Sequence, residues 1–133
     1  MTDQSPVEDA INRYFAALQT GDPAVLKRCF AEDASWHAPG RLPNAGTWRG
    51  RDAIVDDFFP IATSRMAPDT FTTELVSLTL GASNAVIEWR AQATTVSGES
   101  YENAYMANFV VSDGAICEVR EYFDTHRGEI LYR

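Results

Sequence analysis

A carboxylate on the apolar side of a strand is the feature of this 133-residue chain most suggestive of chemistry. In the run 115–123, Cys117, Val119, Glu121 and Phe123 fall on one face by two-residue alternation, and Glu118, Arg120 and Tyr122 on the other. That places Glu121 among core residues. Burial disfavours its charged form and brings its pKa toward the range useful for proton transfer, unless a cation or several donors compensate. The bland reading is a salt bridge that pins the strand. Glu88 and Arg90 lie one position apart on one face of the run 84–97 and could join Glu121 in a Glu-Arg-Glu cluster. The same strand carries Ile87, Trp89, Ala91 and Ala93 on the opposite face, and only one set can face a core. Alternation alone favours Trp89 inside and Glu88 and Arg90 outside.

Other residues suit a mostly apolar pocket with a few directing hydrogen bonds. Tyr14 and Trp36 lie on apolar elements, and Asn103, Tyr105, Ala107 and Phe109 share a strand face. His37 lacks a second ligand or base partner, and His126 lies beyond the last strand, where exposure is expected. Cys29 and Cys117 have neither CxxC nor Cys/His spacing, so no disulfide framework or metal site follows, and packed thiols are expected.

The elements that must position these residues are legible. Ser5-Pro6-Val7-Glu8 reads as a capped helix start, and Ile11, Tyr14, Phe15 and Leu18 form one buried stripe, stopped by Thr20-Gly21. Asp22-Pro23 opens a second helix with Val25, Leu26, Cys29 and Phe30 as its apolar face. Ala34 to Ala38 predicts a short strand, and residues 39–50 a loop that carries Trp48. A third helix from Arg51 has Ile54, Val55, Phe58 and Phe59 on its apolar side, until Pro60 disturbs it. Strands near 70–80, 84–97, 102–112 and 115–123, with turns at Gly81 to Asn84, Ser97-Gly98 and Asp113-Gly114, form an antiparallel meander. Helices followed by a meander give an α+β fold in which residues 1–133 make a single domain.

Composition narrows the partners. A formal charge of -8 and scattered basic residues disfavour nucleic acid and anionic membranes. No run is apolar for long enough to span a bilayer, and Met1 to Gln4 lack the start of a secretory signal, so a cytoplasmic protein is expected.

Several segments together resemble the SnoaL-like branch of the nuclear-transport-factor-2-like (NTF2-like) superfamily, which includes ketosteroid isomerases, polyketide cyclases and limonene epoxide hydrolases. They are Arg13 to Leu18 with Gly21-Asp22, Phe30 to Ala34, Gly50 to Ile54, and Asp113-Gly114 leading to Arg120 to Asp124. The resemblance implies a cone of three N-terminal helices on a curved, mainly antiparallel sheet around a pocket for a small lipophilic molecule. It implies no metal or organic cofactor, and a homodimer through the outer sheet face with Trp89 at the interface.

It also implies a site. Tyr14 falls on the oxyanion-hole tyrosine of the isomerases, whereas their two carboxylates fall on Ala38 and Ala107, which disfavours steroid isomerisation by that route. Against the epoxide hydrolases, Glu121 matches the pocket aspartate. Glu88 and Arg90 match an Arg-x-Asp pair in reversed order, and the water-holding tyrosine and asparagine are replaced by Trp36 and Ala38. In the cyclases the acid/base aspartate also matches Glu121. The resemblance turns Glu88 and Arg90 inward, giving Glu121, Arg90, Glu88 and Tyr14 as the catalytic set and Trp36, Phe58, Asn103, Tyr105, Val119 and Phe123 as the substrate-binding set. A cofactor-independent acid-base enzyme of cyclase, isomerase or lyase type is the leading expectation. The alternative is a non-catalytic ligand-binding or dimerising domain.

Overall fold

The computed structural model describes residues 5–133; the N-terminal reading on Met1 to Gln4 lies outside the described residues. Helix α1 (Pro6–Thr20) begins where the Ser5 hydroxyl accepts from the Glu8 amide at 3.0 Å, and ends at Gly21, whose φ of 65° no β-carbon opposes. Helix α2 (Pro23–Lys27) is capped by the Asp22 carboxylate and is shorter than expected. Phe30 already opens strand β1 (Phe30–Ala38), so Phe30 is a strand residue and not part of the second helix.

The loop carrying Trp48 includes a short strand, β2 (Gly46–Arg49), paired antiparallel with β1. Next come a π-helical stretch, Ala53–Phe58, and helix α3 (Phe59–Thr63). Pro60 does disturb this segment but does not end it. Proline supplies no amide hydrogen and its ring crowds the carbonyl four residues back, which a widened turn relieves.

Strands β3 (Thr72–Leu80), β4 (Asn84–Thr94), β5 (Ser100–Ser112) and β6 (Ala115–Phe123) form the expected meander. The β5–β6 turn is Asp113-Gly114 with φ of 52° and 77°, the pair of positive values that a two-residue hairpin with native twist requires. The sheet order is β2-β1-β6-β5-β4-β3, with β1 and β6 parallel and every other neighbouring pair antiparallel. Helix α4 (Thr125–Gly128) and a 3-10 turn, Glu129–Tyr132, then fold back, an addition the sequence reading did not foresee.

Between the helices and the inner sheet face lies an aromatic core that includes Tyr14, Phe30, Trp36, Phe58, Trp89 and Phe109. The rings meet edge-on or tilted at centroid separations such as 5.4 Å for Tyr14 and Phe109, geometries that suit their quadrupoles. Among the described residues no helix is long and apolar enough to cross a membrane.

Candidate active site

A cavity of about 460 Å³ opens between the helices, the inner sheet face and the C-terminal segment. Its walls are mostly apolar, with Leu26, Val55, Phe58, Met66 and Trp89 among them. Among the described residues, no Lys, Arg or His lines it. Glu121 lines it and is only 8% exposed. The strand register explains how a carboxylate fits there: Glu121 sits directly across from Ala107 on β5, which is itself across from Ile87 on β4, so a small neighbour leaves room beside it.

The Glu121 Oε1 accepts from the Trp36 indole nitrogen at 3.3 Å. Burial pushes its pKa up from the ordinary 4.5 to about 7, and the Trp36 hydrogen bond offsets only part of that rise. Tyr14 lies 3% exposed on α1 and also lines the cavity. Burial, then the negative charge of Glu121, holds its phenol well above the ordinary value, so it remains a hydrogen-bond donor throughout the neutral range.

A group of phenols occupies another wall. The Tyr101 and Tyr105 hydroxyls are 2.6 Å apart, and the Asn103 side-chain amide donates to the Tyr101 oxygen at 3.0 Å and to the Asp124 carbonyl at 3.0 Å. Tyr105 stacks on Trp89 at 5.4 Å and packs on Phe123 at 4.9 Å, which joins β4, β5 and β6 in one aromatic row.

Of the expected catalytic set, the structure brings Glu121 and Tyr14 together and separates them from Arg90 and Glu88. Trp89 is buried and lines the cavity, whereas Arg90 is exposed and Glu88 half-buried on the opposite face. The inward turn of Glu88 and Arg90 is therefore corrected. Strand β4 buries Ala85, Ile87, Trp89, Ala91 and Ala93 in unbroken alternation, and turning it over would exchange that apolar set for charges. On the outside, Arg90 approaches Glu102 at 4.0 Å and Glu88 accepts from the Ser77 hydroxyl at 3.4 Å. Trp89 is accordingly not on the outer sheet face.

Of the expected binding set, Trp36, Phe58, Tyr105 and Phe123 line the cavity. Asn103 stands behind Tyr101 and holds it, and Val119 is wholly buried in the core without lining the cavity. Cys117 is not in register with Val119: a bulge in the β5–β6 pairing puts Ile116 in the core and leaves Cys117 half-buried. His37 meets Thr47 at 2.9 Å and Glu118 at 3.3 Å at the sheet surface, and His126 is exposed.

Sequence reasoning missed Tyr101, Asn44, Leu131 and Tyr132, all of which line the cavity. Tyr101 carried a readable signal, since it continues the 101/103/105 alternation, but the strand begins before the expected residue 102. Asp124 was a readable cap as well; its carboxylate accepts from the Arg127 amide at 3.0 Å and starts the segment that delivers Leu131 and Tyr132. Asn44 had no local signal.

The SnoaL-like domain family matches residues 11–119. An uncharacterized protein of Mycobacterium tuberculosis is 32% identical over 124 residues, 92% of each chain. Among solved structures, an NTF2-like protein of unknown function from Burkholderia pseudomallei superposes with a TM-score of 0.85 at 18% identity, covering 96% of this chain and 98% of that one. TerC, crystallised with polyporic acid, gives 0.84 at 18% identity, with coverage of 96% and 98%. The buried carboxylate thus sits in the cavity of an NTF2-like fold, and the chain belongs to the SnoaL-like domain family.

Proposed function

We propose that this protein is a cofactor-independent acid-base enzyme that moves a proton on a small, lipophilic carbonyl compound, in the manner of a cyclase, isomerase or lyase. The observation that carries the reading is Glu121, a buried carboxyl group with a pKa of about 7 in a cavity that no Lys, Arg or His lines among the described residues. Such a group can take a proton and return it near neutral pH, where acid-base catalysis is most effective. The Glu121 carboxylate removes a proton from the carbon beside the carbonyl and becomes a carboxylic acid. The released electron pair moves onto the carbonyl oxygen, which accepts a hydrogen bond from the Tyr14 hydroxyl. Glu121 then gives the proton back at a carbon of the ligand. Arg90 and Glu88 take no part. TerC, which shares this fold, was crystallised with polyporic acid, and that supports a small organic ligand for this chain.

Deuterium exchange into 2-tetralone, followed by NMR in heavy water, tests the reading. The wild type is expected to accelerate exchange and Glu121→Gln to lose the effect; undiminished exchange in that variant removes Glu121 from the mechanism.

The outer sheet face supports a second part of the proposal, a homodimer. Met106 and Tyr122, 46% and 63% exposed, are register partners at its centre. Around them Glu88, Arg90, Glu102, Glu118 and Arg120 offer both signs of charge, as a self-complementary two-fold contact requires. Light scattering is expected to show a dimer that Tyr122→Glu dissociates. A monomeric wild type would remove this part and leave the cavity chemistry untouched.

A further inference from the structure

Glu121 has one oxygen that the protein leaves unmet. Oε1 accepts from the Trp36 indole at 3.3 Å, whereas Oε2 has no hydrogen-bond partner among the described residues. The unpartnered side-chain atoms that are sealed inside the described residues are Asn44 Oδ1 and Tyr132 Oη, and Glu121 Oε2 is not one of them. It therefore opens onto the cavity that Glu121 lines.

A carboxylate that has exchanged most of its hydration for one indole donor is poorly compensated. The groups around it supply no positive charge. Tyr14 on α1, Tyr101 and Tyr105 on β5 and Tyr132 on the C-terminal turn are phenols that burial holds above their ordinary values, so they stay neutral. Arg65 directs its guanidinium at the Leu131 and Arg133 carbonyls, at 2.9 Å each, and does not line the cavity.

The walls beside Glu121 are aromatic. Tyr14 and Phe58 pack on Trp36 with ring centroids 6.3 and 5.4 Å away. The adjacent register pairs Tyr105–Phe123 and Ala107–Glu121 make Tyr105 a diagonal neighbour of Glu121 across β5 and β6. Aromatic rings attract positive charge through their quadrupole, and a substituted ammonium group spreads its charge over its alkyl hydrogens, so it needs no directed acceptor.

The cavity mouth sorts charge in the same sense. Asp69 lines the cavity and is exposed, at a φ of 62° that few residues other than Asn, Asp and Gly adopt. Its turn is held by Thr70, whose hydroxyl donates to the Ala67 carbonyl at 2.8 Å and accepts from the Thr94 amide at 3.1 Å. The chain as a whole carries a formal charge of -8, which favours the approach of cations.

We infer that the cavity binds organic cations: a substituted ammonium group on an apolar body, seated against Glu121 Oε2 and the rings around it. This binding goes beyond the proposed proton transfer and does not rest on it. An anion would meet Asp69 and Glu121, and an uncharged ligand would leave the Glu121 charge uncompensated.

The test uses three probes that differ at one end: the permanent cation 4-acetyl-N,N,N-trimethylanilinium, its uncharged isostere 4-tert-butylacetophenone, and the anion 4-acetylbenzoate. Binding to the whole protein is measured by calorimetry. At pH 8 the cation is expected to bind about tenfold more tightly than the isostere, a difference of about 1.4 kcal/mol, and the anion more weakly than both. None of the three changes charge between pH 5 and pH 8, so any pH dependence comes from the protein. The preference for the cation is expected to shrink as pH falls through about 7 and to be lost at pH 5, where Glu121 holds its proton. Glu121→Gln is expected to abolish the preference at pH 8 and keep the binding of the isostere, while Asp69→Asn keeps most of the preference because that acid is exposed to water. Equal affinities in the wild type, a preference that survives in Glu121→Gln or at pH 5, one that vanishes in Asp69→Asn, or no binding of any probe at millimolar concentration would overturn the inference. A wild type that prefers the cation and yet does not accelerate exchange into 2-tetralone would uphold it and remove only the proton transfer.

Discussion

Glu118 and Glu121 stand three positions apart on β6 and have opposite surroundings. Glu118 accepts from Arg120 at 3.0 Å and approaches His37 at 3.3 Å on the half-exposed outer face. Among the described residues, Glu121 faces the cavity with one indole donor and no Lys, Arg or His on the cavity wall. The two residues are chemically identical, so the contrast comes entirely from the face of the sheet each occupies. The outer carboxylate keeps its contact with water and with the Arg120 guanidinium. The inner one loses its hydration and gains little in return, which is what brings its proton affinity into the neutral range.

The largest expected effect of breaking this contrast is on chemistry. Glu121→Gln is expected to lower the rate of 2-tetralone exchange by ~100- to 10,000-fold, the usual contribution of a positioned acid or base, whereas Glu118→Gln is expected to leave it unchanged. Equal losses in the two variants would erase the distinction between the faces.

Stability should report the same contrast with a pH signature. Glu121 has a folded-state pKa of about 7 against an ordinary 4.5, so between those values the folded chain holds a proton that the unfolded chain has released. Its contribution therefore falls as pH rises through that window and is flat above it. Glu121→Gln is expected to be more stable than the parent at pH 8 by on the order of 3 kcal/mol, with the difference vanishing near pH 4. Chemical denaturation at the two pH values measures this. A difference independent of pH would mean that Glu121 is not desolvated.

Trp36→Phe sharpens the comparison from the other side. The Trp36 indole lowers the Glu121 pKa, so its loss is expected to move the rising limb of the exchange rate to higher pH, above about 7. It should also cost on the order of 1–3 kcal/mol of stability through the lost packing and hydrogen bond. The exchange rate measured across pH 5–9 gives the midpoint, and an unmoved midpoint would detach Trp36 from Glu121. The smallest effect is expected at Arg90→Ala, within about 0.5 kcal/mol in stability as for most surface substitutions, with unchanged exchange. Loss of exchange there would restore Arg90 to the site.

The same division governs what could be read in advance. Periods of two and 3.6 residues, the caps at Ser5 and Asp22 and the Asp113-Gly114 turn are local signals, and they determined the helices, the meander and the inward placement of Glu121 and Tyr14. Alternation along β4 also pointed to Trp89 as the inner residue. Pattern matching to relatives overrode it for Glu88 and Arg90, and the hydrophobic face of the strand proved the stronger constraint.

Tertiary structure decided the rest. The parallel pairing of β1 with β6 brings Trp36 to Glu121 across 85 positions of chain, and no spacing in the sequence encodes that contact. The bulge that displaces Cys117 and the return of the C-terminal segment that closes the cavity with Tyr132 likewise depend on partners far away in sequence. Side-chain alternation determines which way a residue points relative to its neighbours; whether that direction meets water, a cation or a dry cavity is decided only when the sheet acquires its covering layer.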